Sequence, residues 1–182
     1  MMNDVKKDFR KKALNINKNI TNKLEKSNII CDKLSHLIKD FSSIGIYAAM
    51  PNEVNLDKLI LTLLNDGIKV ALPKIEDTNL LFYYVNSLDE LIVDNKYEIR
   101  EPKNDNLADK NDLDVIIIPG VAFDYNLNRM GHGKGYYDRY LSSYNGLKIG
   151  VCFDEQLYKE IPSKEHDIKM DMIITNEKRF AK

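Results

Sequence analysis

The hydrophobic positions of the first forty residues recur at intervals of three and four, which predicts two helices. In the first helix the lysines lie on the face opposite the apolar stripe, whose members are Val5, Phe9, Ala13 and Ile16. A second helix is predicted over residues 21–41, with a stripe formed by Leu24, Ile29, Leu34, Leu37 and Ile38. We therefore expect an N-terminal helical segment before the pattern changes.

From residue 43 onward, short apolar runs alternate with helical spacing. Strands are predicted at residues 43–48, 69–73, 80–85, 114–118, 148–153 and 172–175, and helices at 55–66 and 134–144. Gly67 stands where a helix C-cap is expected, and Glu101–Pro102 is predicted as a turn within the irregular residues 86–112. This alternation predicts an α/β fold, a three-layer α/β/α sandwich with a mostly parallel, Rossmann-like central sheet. We expect a single domain over residues 1–182, with ligands at the carboxyl ends of the strands.

Composition excludes several classes of protein. The chain has 182 residues, and its 27 basic and 28 acidic side chains nearly cancel, which disfavours a nucleic-acid-binding protein. No apolar run approaches the roughly 20 residues that span a bilayer, and the N-terminus lacks the apolar core of a secretory signal. The two cysteines, Cys31 and Cys152, lie far apart without CxxC spacing, which favours a reduced, cytoplasmic protein.

The most informative stretch lies between Val115 and Leu141 and reads VIIIPGVAFDYNLNRMGHGKGYYDRYL. Its glycines stand at alternate positions, 131, 133 and 135, and such a loop lets backbone N–H groups approach an anion. Arg129, His132 and Lys134 bring positive charge to the same place, and Asp138 could hold a magnesium ion there. A lone GxGxG is equally compatible with a tight turn, but these neighbours favour a phosphate-binding site.

The segments PGVAFD and RMGHGKGYYDRYL resemble the signature of the 5-formyltetrahydrofolate cyclo-ligase (methenyltetrahydrofolate synthetase) family. The resemblance extends along the chain in order. It includes a basic pair on the first helix, a glutamate after the first strand, and a C-terminal pattern with a glutamine, a proline, an HD pair and a further aspartate. The matching residues are Lys6, Arg10, Glu53, Gln156, Pro162, His166, Asp167 and Asp171.

This resemblance implies an enzyme that uses ATP and Mg²⁺ to convert 5-formyltetrahydrofolate into 5,10-methenyltetrahydrofolate, with phosphorylation of the formyl oxygen and release of ADP and phosphate. It implies ATP contacts from Lys6, Arg10, Arg129, Gly131, His132, Gly133, Lys134, Gly135, Tyr136 and Tyr137. It implies folate contacts from Glu53, His132, Gly133, Lys134, Gly135 and Tyr136. Arg129 and Lys134 would be catalytic, and Asp138 and Asp171 would hold the magnesium. The expected partners are these small molecules, with no nucleic acid or membrane, and the expected state is a monomer.

The sequence departs from the family at one position of the glycine-loop region and leaves other functions open. Leu127 stands where the family often has a glycine, so we expect the turn to be made by Asn126 or Asn128. The main alternative function is a non-catalytic module that binds folate or nucleotide on the same fold. A phosphosugar isomerase would need a general base in the pocket, for which Glu53 is the one candidate. RNA binding by the basic first helix fits the neutral overall charge least well.

Overall fold

The computed structural model describes residues 2–93, 99–165 and 167–182, apart from the side chains of Met2 and Asn3. His166, one of the residues that carry the family resemblance, lies outside these ranges. The α-helices of the described chain are α1 (Met2–Lys18), α2 (Lys23–Ile38), α3 (Asp57–Asn65) and α4 (Tyr136–Leu141). Short 3₁₀ helices span Leu88–Glu90, Lys110–Asp112 and Asp154–Gln156. None of the described helices is long and apolar enough to cross a bilayer.

Within the described residues, the strands form one large sheet and two small ones. The first six are β1 (Ser43–Gly45), β2 (Lys69–Glu76), β3 (Asn79–Val85), β4 (Leu91–Ile92), β5 (Glu101–Pro102) and β6 (Val115–Ile118). The others are β7 (Ala122–Asp124), β8 (Arg129–Met130), β9 (Leu147–Val151), β10 (Leu157–Tyr158), β11 (Met172–Ile174) and β12 (Arg179–Ala181). The central sheet has the order β12-β11-β9-β6-β1-β2-β3, and its five inner strands run parallel between antiparallel edge strands.

Alternate residues of β6 face two different cores, as the period of a strand requires. Val115 and Ile117 join a hydrophobic cluster with side chains of α2 and α3. Ile116 joins the cluster on the other face, which contains Tyr140 and Leu141 of α4. All four residues of β6 are buried, as expected for a central parallel strand covered on both sides. The predicted three-layer α/β fold is confirmed.

Helix α1 contacts a small sheet rather than the central one, and the stripe predicted for it is only partly correct. Ala13 is buried against the three-stranded sheet β10-β7-β8, with Phe9 beside it. Val5 and Ile16 are 53% and 43% exposed. The inward face of α1 also includes a polar residue. Asn17 is buried, and its Nδ2 donates to the Val121 carbonyl at 2.9 Å.

Several elements differ from the sequence prediction in extent or in type. Strand β1 ends at Gly45, three residues early, although the chain stays buried through Ala48. Glu101–Pro102 is a short strand that pairs with β4, not a turn. Helix α4 has six residues, because Gly135 immediately before it has a left-handed φ of 70° and separates it from the loop. Gly67 has φ 75° just beyond α3, which confirms its predicted place at the end of that helix.

The turn after β7 is built on Leu127 itself, so the prediction of Asn126 or Asn128 in the left-handed position is wrong. Leu127 has φ 66°. The carboxylate of the buried Asp124 accepts the backbone N–H groups of Asn126 and Asn128, both at 2.9 Å. These bonds fix the residues on either side, so the positive φ falls on Leu127. Its carbonyl accepts the N–H of Met170 at 2.9 Å, which ties the turn to the C-terminal segment.

Candidate active site

A cavity of about 970 Å³ opens beyond the carboxyl ends of the parallel strands, where a doubly wound sheet places its ligands. Its walls come from the segment after β1, the end of β2, the Pro119 turn after β6, the glycine loop and the first turns of α1. Most residues implied by the family resemblance line it, namely Lys6, Arg10, Glu53, Arg129, Gly131, His132, Gly133, Lys134, Gly135, Tyr136, Tyr137 and Asp138. Its volume is at the upper end of the range for small-molecule sites.

Helix α1 and the glycine loop are joined through Arg10. The Arg10 Nε donates to the Gly131 carbonyl at 2.8 Å. Gly133 has φ 97°, and a Cβ atom at that position would lie 3.2 Å from the Arg10 guanidinium carbon. A side chain at position 133 is therefore disfavoured both by the backbone conformation and by the close approach of Arg10.

Arg129 is the most enclosed cation of the cavity. Its side chain is 6% exposed, its Nε donates to the Pro119 carbonyl at 2.8 Å, and its guanidinium lies over the Tyr137 ring at 4.9 Å. One terminal nitrogen is 3.9 Å from the Asp138 Oδ1. Burial lowers the pKa of Arg129 and the nearby Asp138 opposes this shift, but a guanidinium stays charged at neutral pH. The cavity wall thus holds a fixed positive charge.

Two tyrosines of the cavity wall are the half-buried Tyr137, next to Arg129, and the buried Tyr47. Burial raises the pKa of Tyr137, with Arg129 acting in the opposite direction, so this phenol is neutral at physiological pH. Burial also raises the pKa of Tyr47, whose hydroxyl donates to the Val54 carbonyl at 3.0 Å. Neither phenol is suited to be a general base at neutral pH.

The end of the cavity next to α1 is closed by an ion pair between distant parts of the chain. The Lys6 ammonium contacts the Asp167 carboxylate, and both side chains are 15% exposed. The same carboxylate accepts the backbone N–H of Lys164 at 2.6 Å. Lys134, in contrast, is an exposed residue of the glycine loop on the cavity wall. Among the described residues, the cavity is therefore lined by the enclosed Lys6, the half-buried Lys164 and the accessible Lys134.

Glu53 and His132 face each other on the cavity wall. The Glu53 Oε2 accepts the Met50 N–H at 2.9 Å, which holds the side chain over the turn after β1. Its other oxygen, Oε1, lies 3.7 Å from the His132 Nε2. The glutamate side chain is only 9% exposed, whereas the histidine is 49% exposed. The Glu53 carboxylate is therefore held in place, whereas the His132 side chain is largely open to solvent.

Asp171 lies away from the cavity, and its prediction as a magnesium ligand is wrong in this structure. It directly precedes β11, at the amino ends of β9 and β11, whereas the cavity lies beyond the carboxyl ends. Its Oδ2 accepts the backbone N–H of Lys148 at 2.9 Å and contacts the Lys148 ammonium at 2.8 Å. Its Oδ1 contacts the Lys182 ammonium at 2.7 Å. Burial raises the pKa of Asp171, but these lysine contacts outweigh it and the net shift is downward.

A sequence model of the 5-formyltetrahydrofolate cyclo-ligase family matches residues 2–176. This chain belongs to that family. It is 37% identical over 158 residues to the Schizosaccharomyces pombe protein named "Probable 5-formyltetrahydrofolate cyclo-ligase", covering 77% of this chain and 78% of the relative. The Escherichia coli K12 5-formyltetrahydrofolate cyclo-ligase is 33% identical over 144 residues, covering 75% and 79%. The NMR structure of the Aquifex aeolicus 5,10-methenyltetrahydrofolate synthetase superposes with a TM-score of 0.87 at 32% identity, covering 97% and 92%.

Membership in the cyclo-ligase family confirms the resemblance found in the sequence and identifies the chain as an enzyme of the ligase class. The alternative of a non-catalytic binding module on the same fold loses its support, because these relatives carry the name of an enzyme. The isomerase and RNA-binding hypotheses likewise find no relative among these matches.

The cavity of this cyclo-ligase family member suits a magnesium ion that arrives with a phosphate group. Asp138 is 38% exposed, and its carboxylate has no hydrogen-bond donor among the described residues. No group of three or more His, Cys, Asp or Glu that could hold a metal occurs in the described part of the chain. Magnesium is typically held by one or two carboxylates together with substrate phosphates and water. A single carboxylate such as Asp138 is therefore enough to hold the ion when phosphates and water supply the other ligands.

Several lining residues of this cyclo-ligase family member were not predicted from its sequence. Tyr47, Met50 and Ile75 line the cavity, and they lie at or just beyond the carboxyl ends of predicted strands, so their position could have identified them. Asp167 belongs to the matched HD pair, but no role was assigned to it. Glu101 lies in the predicted turn of the irregular segment, and no local signal placed it on the wall.

Proposed function

We propose that the chain catalyses the ATP- and Mg²⁺-dependent cyclisation of 5-formyltetrahydrofolate to 5,10-methenyltetrahydrofolate, with release of ADP and phosphate. The observation that carries this proposal is the meeting of Arg129, the glycine loop and Asp138 in one cavity. Arg129 lies 3.9 Å from Asp138 and is buried, so a cation and a metal-binding carboxylate stand side by side. That combination is suited to a transferring phosphoryl group.

The chemistry requires activation of the formyl oxygen, which is a poor leaving group. The formyl oxygen attacks the γ-phosphorus of ATP, the bond between the γ-phosphorus and the bridging oxygen breaks, and ADP departs. N10 of the folate then attacks the formyl carbon, loses its proton, and the carbon–oxygen bond breaks to release phosphate. Each step is favoured by placing both substrates in line and stabilising the transferring charge, with no covalent enzyme intermediate.

The cations have separate positions around the expected triphosphate. Arg129 and Lys134 would contact the transferring phosphoryl group, and we assign them the catalytic role. Arg10 and Lys6 would hold the rest of the triphosphate, and the Lys6 ammonium would keep its contact with Asp167. The backbone from Gly131 to Gly135, including His132, would surround the phosphates. Because α4 has only six residues, the side-chain cations would contribute more than its helix dipole.

Asp138 would hold the magnesium ion together with phosphate oxygens, and the bound ion would supply charge neutralisation at the phosphates. Glu53 would accept a hydrogen bond from the folate. Tyr136 and Tyr137 would form the wall between folate and nucleotide. In such an electrostatic site, removal of one charge-stabilising donor costs about 3 kcal/mol of transition-state stabilisation.

We further propose that one chain suffices and that it works in the cytoplasm. Segments from α1 to residue 167 of this chain line the cavity and include the cations and carboxylates assigned above. Both cysteines, Cys31 and Cys152, are buried free thiols, and burial raises the pKa of each. Such thiols are typical of proteins in a reducing compartment. Sedimentation at working concentration should give the mass of one chain.

The test is a direct assay of the proposed reaction. Purified protein is mixed with 5-formyltetrahydrofolate and Mg-ATP, and the near-ultraviolet absorbance of the methenyl product is followed. We expect a signal that disappears when either ATP or magnesium is omitted. Folate binding without any product would contradict the proposed reaction, and product formation without ATP would contradict the phosphorylation step.

A second arm of this test uses Arg129→Ala, with the exposed Arg179→Ala as matched control. We expect Arg129→Ala to lower kcat/KM for ATP by about a hundredfold, because it removes a buried donor beside the phosphates. Arg179 lies on the edge strand β12 and its loss should leave both constants unchanged. If only the KM for the folate moved, the role proposed for Arg129 would be wrong.

A further inference from the structure

Among the described residues, four carboxylates line the cavity, and Glu101 differs from the other three. Each of the others lies beside a cationic or ionisable side chain: Glu53 beside His132, Asp138 beside Arg129 and Asp167 beside Lys6. In the described part of the chain, Glu101 has no positively charged neighbour within ion-pair distance. A cavity carboxylate without a cation retains acceptor capacity for groups of a ligand.

The backbone around Glu101 is held from three directions, so its carboxylate has a defined position. Its Oε1 accepts the N–H of Ile75 at 3.0 Å. The preceding Arg100 forms two hydrogen bonds with Asp57 at the start of α3, at 3.0 and 2.7 Å. The following Pro102 pairs with Leu91 in the small sheet. Successive side chains of an extended segment point to opposite sides, so anchoring Arg100 outward directs Glu101 toward the cavity.

The wall shared with Glu101 is apolar. Leu80 is buried, and Ile75 and Tyr136 pack against the same hydrophobic cluster, while Pro73 also lines the cavity. This surface suits a flat, uncharged ring whose edge carries N–H donors. A metal ion would need further oxygen ligands, and the described residues contain no group of three acidic or metal-ligating side chains.

We propose that Glu101 is a specificity-determining residue that accepts hydrogen bonds from the amino-pyrimidine edge of the pterin ring. This inference rests on the proposed function, whose folate substrate carries a 2-amino group and a ring N–H side by side on that edge. The free Glu101 Oε2 has no donor among the described residues, and Oε1 has one. The pterin would therefore lie against Ile75, Leu80 and Tyr136, and the phosphates would lie toward Arg10 and Lys6.

The experiment compares 5-formyltetrahydrofolate with its analogue that lacks the 2-amino group, using wild-type protein, Glu101→Gln and Glu101→Ala. We expect the wild type to prefer the amino substrate by about ten- to a hundredfold in kcat/KM, since a lost bond to a charged group costs that much. The preference should nearly vanish in Glu101→Ala and be intermediate in Glu101→Gln. The KM for ATP should stay unchanged in both variants.

The two substrates separate recognition from mere structural support. A structural role would lower kcat/KM equally for both, leaving the wild-type preference intact, and that result would overturn the proposal.

Should Glu101→Ala fail to fold, Glu101→Gln still offers an oxygen to the Ile75 N–H and carries the test. Glu177→Gln, on an exposed residue outside the cavity, is the matched control. Absence of product with wild-type protein would contradict the proposed function itself, whereas an unchanged preference with an active enzyme would contradict only the role of Glu101.

Discussion

The two ends of the central sheet hold two aspartates that the family resemblance treats alike. Asp138 lies beyond the carboxyl ends of the parallel strands, 3.9 Å from the buried Arg129. Asp171 lies at the amino ends of β9 and β11, between the ammonium groups of Lys148 and Lys182. One carboxylate has space for a ligand, and the other is already neutralised by the protein. The same type of side chain is thus left accessible to a ligand at one end of the sheet and paired within the protein at the other.

The difference follows from the direction of the chain at each position. Asp138 lies in the first turn of α4, in the connection from β6 to β9, so it falls at the edge where the parallel strand β6 ends and ligands bind. Asp171 comes immediately before a strand, so it falls at the opposite edge. Position relative to a strand therefore predicts the role of a carboxylate better than residue type does.

The largest expected effect is on turnover, from Asp138→Asn set against Asp171→Asn. We expect Asp138→Asn to lower kcat at limiting magnesium by a hundredfold or more, because it removes the carboxylate proposed to hold the ion. Asp171→Asn should keep kcat and its magnesium dependence within about twofold of wild type. Both are measured by the methenyl-product assay across a magnesium titration.

Circular dichroism and thermal unfolding of the two variants would serve as the control for folding. Equal losses of turnover in two folded variants would show that Asp171 reaches the ion after all. Near-wild-type turnover of Asp138→Asn at limiting magnesium would remove Asp138 from the metal site.

An intermediate effect is expected when a methyl group is added to the glycine loop. Gly133→Ala should weaken ATP binding about tenfold, since φ is 97° and the new Cβ meets the Arg10 guanidinium at 3.2 Å. Gly67→Ala is the matched control, with φ 75° and no atom within 4 Å of the added Cβ. Each variant should lose about 1 kcal/mol of stability, but Gly67→Ala should keep its ATP affinity. Calorimetric titration with ATP distinguishes them, and equal affinities would mean that Gly133 is only a turn residue.

The smallest effect concerns stability at the amino end of the sheet. Asp171→Asn should reduce the free energy of unfolding by about 1 kcal/mol at pH 7, because two lysine contacts lose their charged partner. The folded pKa of Asp171 lies below its ordinary value of 3.8, so this contribution is present above that pH and is lost as the pH falls further. Urea unfolding of both proteins from pH 7 to pH 3 measures the difference. A difference in free energy of unfolding between the two proteins that grew as the pH fell would contradict this prediction.

The fold was largely predictable because its strands and helices carry strong local patterns. The run from Val115 to Ile118 is apolar throughout, as a strand buried on both faces must be. The predictions fail where contacts between distant parts of the chain determine which residues are buried and which conformation the backbone adopts. Val5 and Ile16 fit a helical stripe, but α1 buries polar groups against a small sheet that the sequence did not indicate. Leu127 adopts φ 66° because Asp124 fixes its neighbours, which no propensity for that residue predicts.

The candidate site was predictable where a local motif or the family resemblance identified its residues, and the resemblance alone gave the distant Lys6, Arg10 and Glu53. The stretch from Arg129 to Asp138 forms a continuous wall, so a local motif identified nearly all of it. Glu101 and Asp167 reach the wall through strand order and long-range contacts. A single sequence gives little information on which segments meet across the sheet, and the mistaken role of Asp171 has the same origin.

The contact between Lys6 and Asp167 joins residues separated by 161 positions along the chain. A site closed in this way exists only after the intervening strands and helices have taken their places. During synthesis, the emerging polypeptide could not form the proposed nucleotide site until residues up to Asp167 had left the ribosome. For the same reason, affinity for the proposed nucleotide, measured in increasing denaturant, should disappear together with the central sheet, so that binding would report the folding of the whole molecule.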